Sequence, residues 1–128
     1  VCVVALALAA PARAAPFTPA LERAAAAADR YWGTPSNCTS LDRQIVPDGS
    51  LPGGADAIAT YADAPTPCVL YVERSLARPS QWVRACGVLV HEGGHLRGLD
   101  HDFGGVMAID SLPPPLCFRA GARELNRR

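Results

Sequence analysis

The chain contains no lysine, and its 12 arginines are balanced by 12 acidic residues to a formal net charge of zero. A chain so balanced has no long-range field to attract nucleic acid or an anionic membrane surface, which sets aside partners bound mainly by charge. The missing lysine itself reads as compositional bias. No Cys-x-x-Cys pair occurs, so a cysteine-based zinc cluster is disfavoured. No apolar run reaches the roughly 20 residues that a membrane-spanning helix needs. Histidine and methionine are scarce, three and one respectively, so their positions carry information. At 128 residues the chain fits one domain of the usual size, about 100–150 residues.

What is present begins with an apolar Ala/Val/Leu run that closes in Pro11-Ala12-Arg13-Ala14-Ala15-Pro16. The small residues of Ala12-Arg13-Ala14 suit a signal-peptidase cleft. The run therefore reads as a secretory signal peptide over 1–14, cut after Ala14 or Ala15, followed by one domain over 15–128. The competing reading, a buried N-terminal helix, has to accept a run with no polar face. Neither Met nor a basic stretch precedes the run, so Val1 is either an internal position or an alternative start. Export implies a secreted, extracellular protein with no membrane contact after cleavage, and a monomer is the default state.

Removing the leader takes Cys2 with it and leaves Cys38, Cys68, Cys86 and Cys117, an even set that suggests two disulfides. Four cysteines admit three pairings, and spacing does not choose among them. The preferred pairing is Cys38 with Cys68 and Cys86 with Cys117, the second tying a central helix to the segment beyond it.

Thr18-Pro19 starts a helix over 19–32, with Thr18 as N-cap, Pro19 in the first turn, and Gly33 and Pro35 ending it. Leu21, Ala25, Ala28 and Trp32 are spaced for one buried face, and Tyr31 and Trp32 are expected in the core. From 38 to 78 the pattern changes to short segments separated by Pro and Gly, as in Pro47-Asp48-Gly49 and Pro52-Gly53-Gly54. Strands are expected over 40–46, 57–61 and 68–73, the last inside the sheet because it is apolar on both faces. A second helix is expected over 81–96, capped by Ser80, with Trp82, Cys86, Leu89 and Gly93 at helical spacing. Beyond it, 98–115 reads as loop, with one short helix from Ala120 on. The fold class is α+β: a short mixed sheet packed on an N-terminal helix and a long central helix, with a loop-rich C-terminal part.

All three histidines fall within eleven residues, His91-Glu92-Gly93-Gly94-His95-Leu96-Arg97-Gly98-Leu99-Asp100-His101. Two histidines four apart on a helix sit one turn above each other, about 40° round the axis, and can face one metal ion. Glu92, beside the first ligand, is placed to take a proton from water at that ion. A helix cannot carry a third ligand at His101 to the same ion, so the chain must turn, and Gly98 is the residue that tolerates the turn. Three histidines leave a fourth tetrahedral position for water, the mark of catalytic over structural zinc.

These eleven residues match HExxHxxGxxH, and the chain thereby resembles the metzincin clan of zinc metallopeptidases. Asp102 after the third histidine looks like the reprolysin branch. The short chain and Trp82 look more like matrixin-type bacterial relatives. The resemblance implies a secreted zinc metalloendopeptidase acting on peptide or protein substrates, with one zinc on His91, His95 and His101 and Glu92 as general base; calcium is left open. Metzincins also place a methionine in a tight turn beneath the metal, which assigns that role to Met107; the plain alternative is a methionine filling a core gap. The stretch Ile58-Ala59-Thr60-Tyr61-Ala62 resembles the edge strand offered to substrate backbone, with a selective pocket beside 107–112. Asp100 and Asp102 flank the third ligand but stay outside the catalytic set, as solvated loop carboxylates. No propeptide cysteine switch and no Tyr two residues after Met107 are present. The runner-up is a secreted zinc-binding recognition or inhibitor module that does not cleave.

Overall fold

The computed structural model describes residues 14–61, 63–102 and 104–127. The expected leader over 1–14, all but its last residue, and Cys2 lie outside the described residues. The architecture is α+β, with strands β1 (Ala15–Pro16), β2 (Asp42–Val46), β3 (Ala57–Ala59) and β4 (Val69–Glu73) and helices α1 (Pro19–Trp32), α2 (Trp82–His95) and α3 (Pro115–Leu125). The sheet order is β1-β2-β4-β3. Only the β2–β4 pair is parallel, so the sheet is mixed. β4 lies inside it, as its two apolar faces require, with Val69, Leu70 and Val72 buried.

α1 forms where the sequence places it. The Thr18 hydroxyl accepts from the Leu21 N–H at 3.3 Å, and the helix closes as the Gly33 N–H reaches the Asp29 carbonyl. Its alanines at 24, 25, 27 and 28 are buried and let α2 approach closely. Two indoles lock the pair: Trp32 donates to the Val90 carbonyl at 2.9 Å and Trp82 to the Ala20 carbonyl at 3.0 Å. Each fully buried aliphatic side chain in this core, such as Leu21 or Val90, contributes about 1.5–3 kcal/mol of apolar burial. The disulfides are Cys38–Cys68 and Cys86–Cys117, and the second joins α2 to α3.

Three expectations change and one strand is new. Tyr31 is 38% exposed and only leans edge-on against Trp32, because it falls on the solvent side of α1. Ser80 does not cap α2. It sits in a 3₁₀ turn over Pro79–Gln81, and the helix begins after Gln81 without a side-chain cap. The C-terminal helix starts at Pro115, not Ala120, since a proline in the first turn loses no helical hydrogen bond. The two-residue β1, on Ala15 and Pro16, pairs with Ile45 and Gln44 and was not foreseen.

Candidate metal centre and cleft

α2 carries His91, Glu92 and His95 on the side turned away from α1. The helix then closes with paired bonds from Leu99 N–H to the Gly94 carbonyl and Gly98 N–H to the His95 carbonyl, both 3.0 Å. Gly98 sits at φ +83°, in the left-handed region that this closure uses and that other residues reach at a cost. The turned chain brings His101 back. The three Nε2 atoms then stand 3.2 Å apart in all three pairs.

That triangle is not a hydrogen-bond cluster. The His91 Nδ1–H donates to the Val106 carbonyl and the His95 Nδ1–H to the Leu99 carbonyl, each at 2.8 Å. Those bonds fix both tautomers and leave a lone pair on each Nε2, so two lone pairs converge on one point. Lone pairs facing each other at this range repel unless a cation lies among them. Tetrahedral ligation at about 2.0–2.1 Å places imidazole nitrogens about 3.3–3.4 Å apart, which the observed spacing fits. Burial pushes the His91 imidazole below its ordinary pKa against the Val106 carbonyl, and its two histidine neighbours push the same way, favouring the neutral form that binds metals. Among the described residues this is the one group of three or more potential metal ligands.

Glu92 is buried at 9% exposure, and its Oε2 accepts the Ala59 N–H at 2.9 Å. Burial pushes its carboxyl up to about 7, held back by the Ala59 N–H. The source of that N–H is informative. The Asp56 carbonyl and the Thr60 N–H bond to β4, at Glu73 and Val69, so strand alternation turns the backbone groups of Ala57 and Ala59 outward. β3 is therefore an edge strand whose outer rim faces Glu92 and the histidines.

Between β3 and the segment 109–113 runs a cleft of about 870 Å³ that reaches all three histidines, Glu92 and Tyr61. The Tyr61 hydroxyl lies 3.4 Å from His95 Nδ1 on its wall. On the other wall Pro113 seats on α2 at Gly87, where a Cβ would come within 2.8 Å of it. Ile109 and Leu112, both 83% exposed, flank this wall.

Met107 is buried in the 3₁₀ turn Gly105–Met107, with its sulfur against α2 at Gly94, between His91 and His95. A Cβ on Gly94 would overlap that sulfur and press on Trp32. The structure thus brings His91, Glu92, His95, His101 and Met107 together. Asp100 lines the cleft mouth, exposed, and Asp102 uses its backbone N–H to bond the Met107 carbonyl at 3.1 Å. The groups that hold the ligand rings and Glu92, the Leu99 and Val106 carbonyls and the Ala59 N–H, went unread because they belong to the backbone and leave no side-chain signature. No protein-family model, no curated protein and no solved structure matches this chain.

Proposed function

We propose that the chain is a secreted zinc-dependent endopeptidase, a minimal relative of the metzincins that its His91–His101 motif resembles. The observation that carries this reading is the convergence of three imidazole nitrogens, 3.2 Å apart, beside a buried carboxylate in an open cleft. Three imidazoles suit zinc, and a fourth position open to a cleft suits a catalytic ion over a structural one. Two disulfides accord with an oxidising compartment outside the cell. No helix among the described residues is long and apolar enough to cross a membrane.

His91, His95 and His101 would hold the zinc, which would supply Lewis acidity toward a carbonyl and toward water. The protein's own groups do the rest. Glu92 takes a proton from the attacking water on a carboxylate oxygen and returns it to the departing amine nitrogen, as base and then as acid. The Ala59 N–H holds that carboxylate in place through Oε2. Substrate backbone lies extended along β3, where the outward groups of Ala57 and the Ala59 carbonyl complete a strand pairing. Met107 supports the two helical ligands from beneath.

The test is cleavage of casein by the oxidised protein with chelator, then with zinc restored. Activity lost to chelator and regained with about one equivalent of zinc supports the reading. Stoichiometric zinc binding with no cleavage overturns the enzyme in favour of a recognition module.

A further inference from the structure

α2 carries one more charged group on the face that holds the ligands. Arg84 stands two helical turns before His91, so the two side chains leave the helix in nearly the same direction, about 10 Å apart along its axis. Both line the cleft, and among the described residues Arg84 is the one arginine that does. Its Nη2 donates to Asp56 Oδ2, which reaches across the cleft end from α2 to the residue before β3. The Asp56 backbone is itself fixed, since its carbonyl accepts the Glu73 N–H at 2.9 Å. The ion pair thus holds the guanidinium at the start of the β3 rim. The bond to Asp56 engages one of the five N–H donors of an arginine, and Nε and Nη1 have no partner among the described residues. The side chain is 56% exposed. Gly53 and Gly54, on the facing turn, have nothing within 4 Å of a Cβ position, so the space beside the guanidinium is open.

Two spacings agree on what the guanidinium meets. From Ala59, whose N–H holds Glu92, back to Asp56 is three strand residues, about 10 Å. The interval from His91 to Arg84 along α2 is the same. A peptide extended along β3 therefore passes Arg84 with the third residue from its scissile bond. Antiparallel pairing, the more stable kind, sends the C-terminal side of the peptide that way. We propose that Arg84 selects substrates with a carboxylate on the third residue beyond the scissile bond, either an Asp or Glu side chain or the peptide's own C-terminus. A guanidinium fork pairs with a carboxylate through two parallel N–H bonds, and Asp56 leaves donors free for it. Asp100 and Asp110 line the rest of the cleft and repel an acid, so an acidic group is favoured at the Arg84 end alone. The register of three residues rests on the peptidase reading, whereas the pairing itself does not.

The test uses full-chain Glu92→Gln protein loaded with zinc to capture peptides from a randomised pool, made once with free and once with amidated C-termini. The bound fraction is then sequenced. Asp and Glu should be enriched roughly 3- to 5-fold in the amidated pool, the range of a half-exposed ion pair, and less so at high salt. Preferential capture of free over amidated peptides identifies the C-terminus as a second source of the carboxylate. Adding Arg84→Gln should abolish the enrichment, and adding Arg84→Glu should turn it toward Arg and Lys. Both replace an exposed side chain and keep the fold. Digestion of the same pool by wild-type protein should then place the acid three residues past the cut. Capture without acidic preference, no capture at all, or a preference that both Arg84 variants retain overturns the proposal, whether or not the protein cleaves. Acid-selective capture that follows Arg84, without cleavage by wild-type protein, sustains the pairing and overturns the peptidase instead.

Discussion

The two sides of α2 are built on opposite principles. Toward α1 and α3 the helix offers Trp82, Cys86, Leu89 and Val90, all at 5% exposure or less, and holds position by packing, two indole bonds and a buried disulfide. Toward the cleft it offers His91, Glu92 and His95, which are held by hydrogen bonds to backbone groups, with the Tyr61 hydroxyl also beside His95. The packed side supplies rigidity that the polar side does not generate for itself. The three ring nitrogens, 3.2 Å apart, keep their spacing because the apolar side holds the helix that carries two of them.

This contrast is broken most sharply by Glu92→Gln. The amide keeps the size of the side chain and an oxygen for the Ala59 N–H but cannot carry the proton. Activity on casein should fall about 10²–10⁴-fold with zinc affinity and melting temperature nearly unchanged. A parallel collapse of zinc binding would mean that Glu92 is structural.

The two disulfides give the next largest effect. They close loops of nearly equal length, 30 and 31 residues, so removing either pair by alanine substitution should cost about 3–4 kcal/mol in urea unfolding. They differ in place. Cys86 and Cys117 are fully buried, whereas Cys68 adjoins Thr60, whose backbone leads into Tyr61 and the cleft rim. Loss of Cys38–Cys68 should therefore also lower kcat/KM, while loss of Cys86–Cys117 should leave it unchanged under conditions where the variant is folded.

Gly94→Ala sharpens the comparison where the two sides meet. The added methyl overlaps the Met107 sulfur, so overpacking should cost about 1–3 kcal/mol and weaken zinc binding, measured by a thermal melt and by competition with a chromophoric chelator. Gly98→Ala should give the smallest effect, roughly 1 kcal/mol for forcing a Cβ into the left-handed region, together with weaker zinc binding as His101 shifts.

Much of this arrangement was legible in the sequence where one residue type has one physical use. Thr18 and Pro19 can start a helix, Gly98 can reverse a chain, and three histidines at 91, 95 and 101 can meet only through that reversal. β4 was readable because apolar residues on both faces exclude an edge. Illegible features fall into two kinds. A two-residue strand on Ala15 and Pro16 carries no periodicity, and Pro113-Pro114-Pro115 reads as loop until one sees that the third proline occupies a helix first turn. The rest is backbone chemistry: the carbonyls of Leu99 and Val106 and the N–H of Ala59 act irrespective of side-chain identity.

The central claim is that Glu92 moves the proton in peptide-bond cleavage at a histidine-held zinc. Its most direct test is a mass-spectrometric digest of a peptide library by wild-type protein and Glu92→Gln, each loaded with one equivalent of zinc. Internal cleavages are expected from wild-type protein alone. Equal cleavage by both proteins, or none by either at full zinc occupancy, contradicts it.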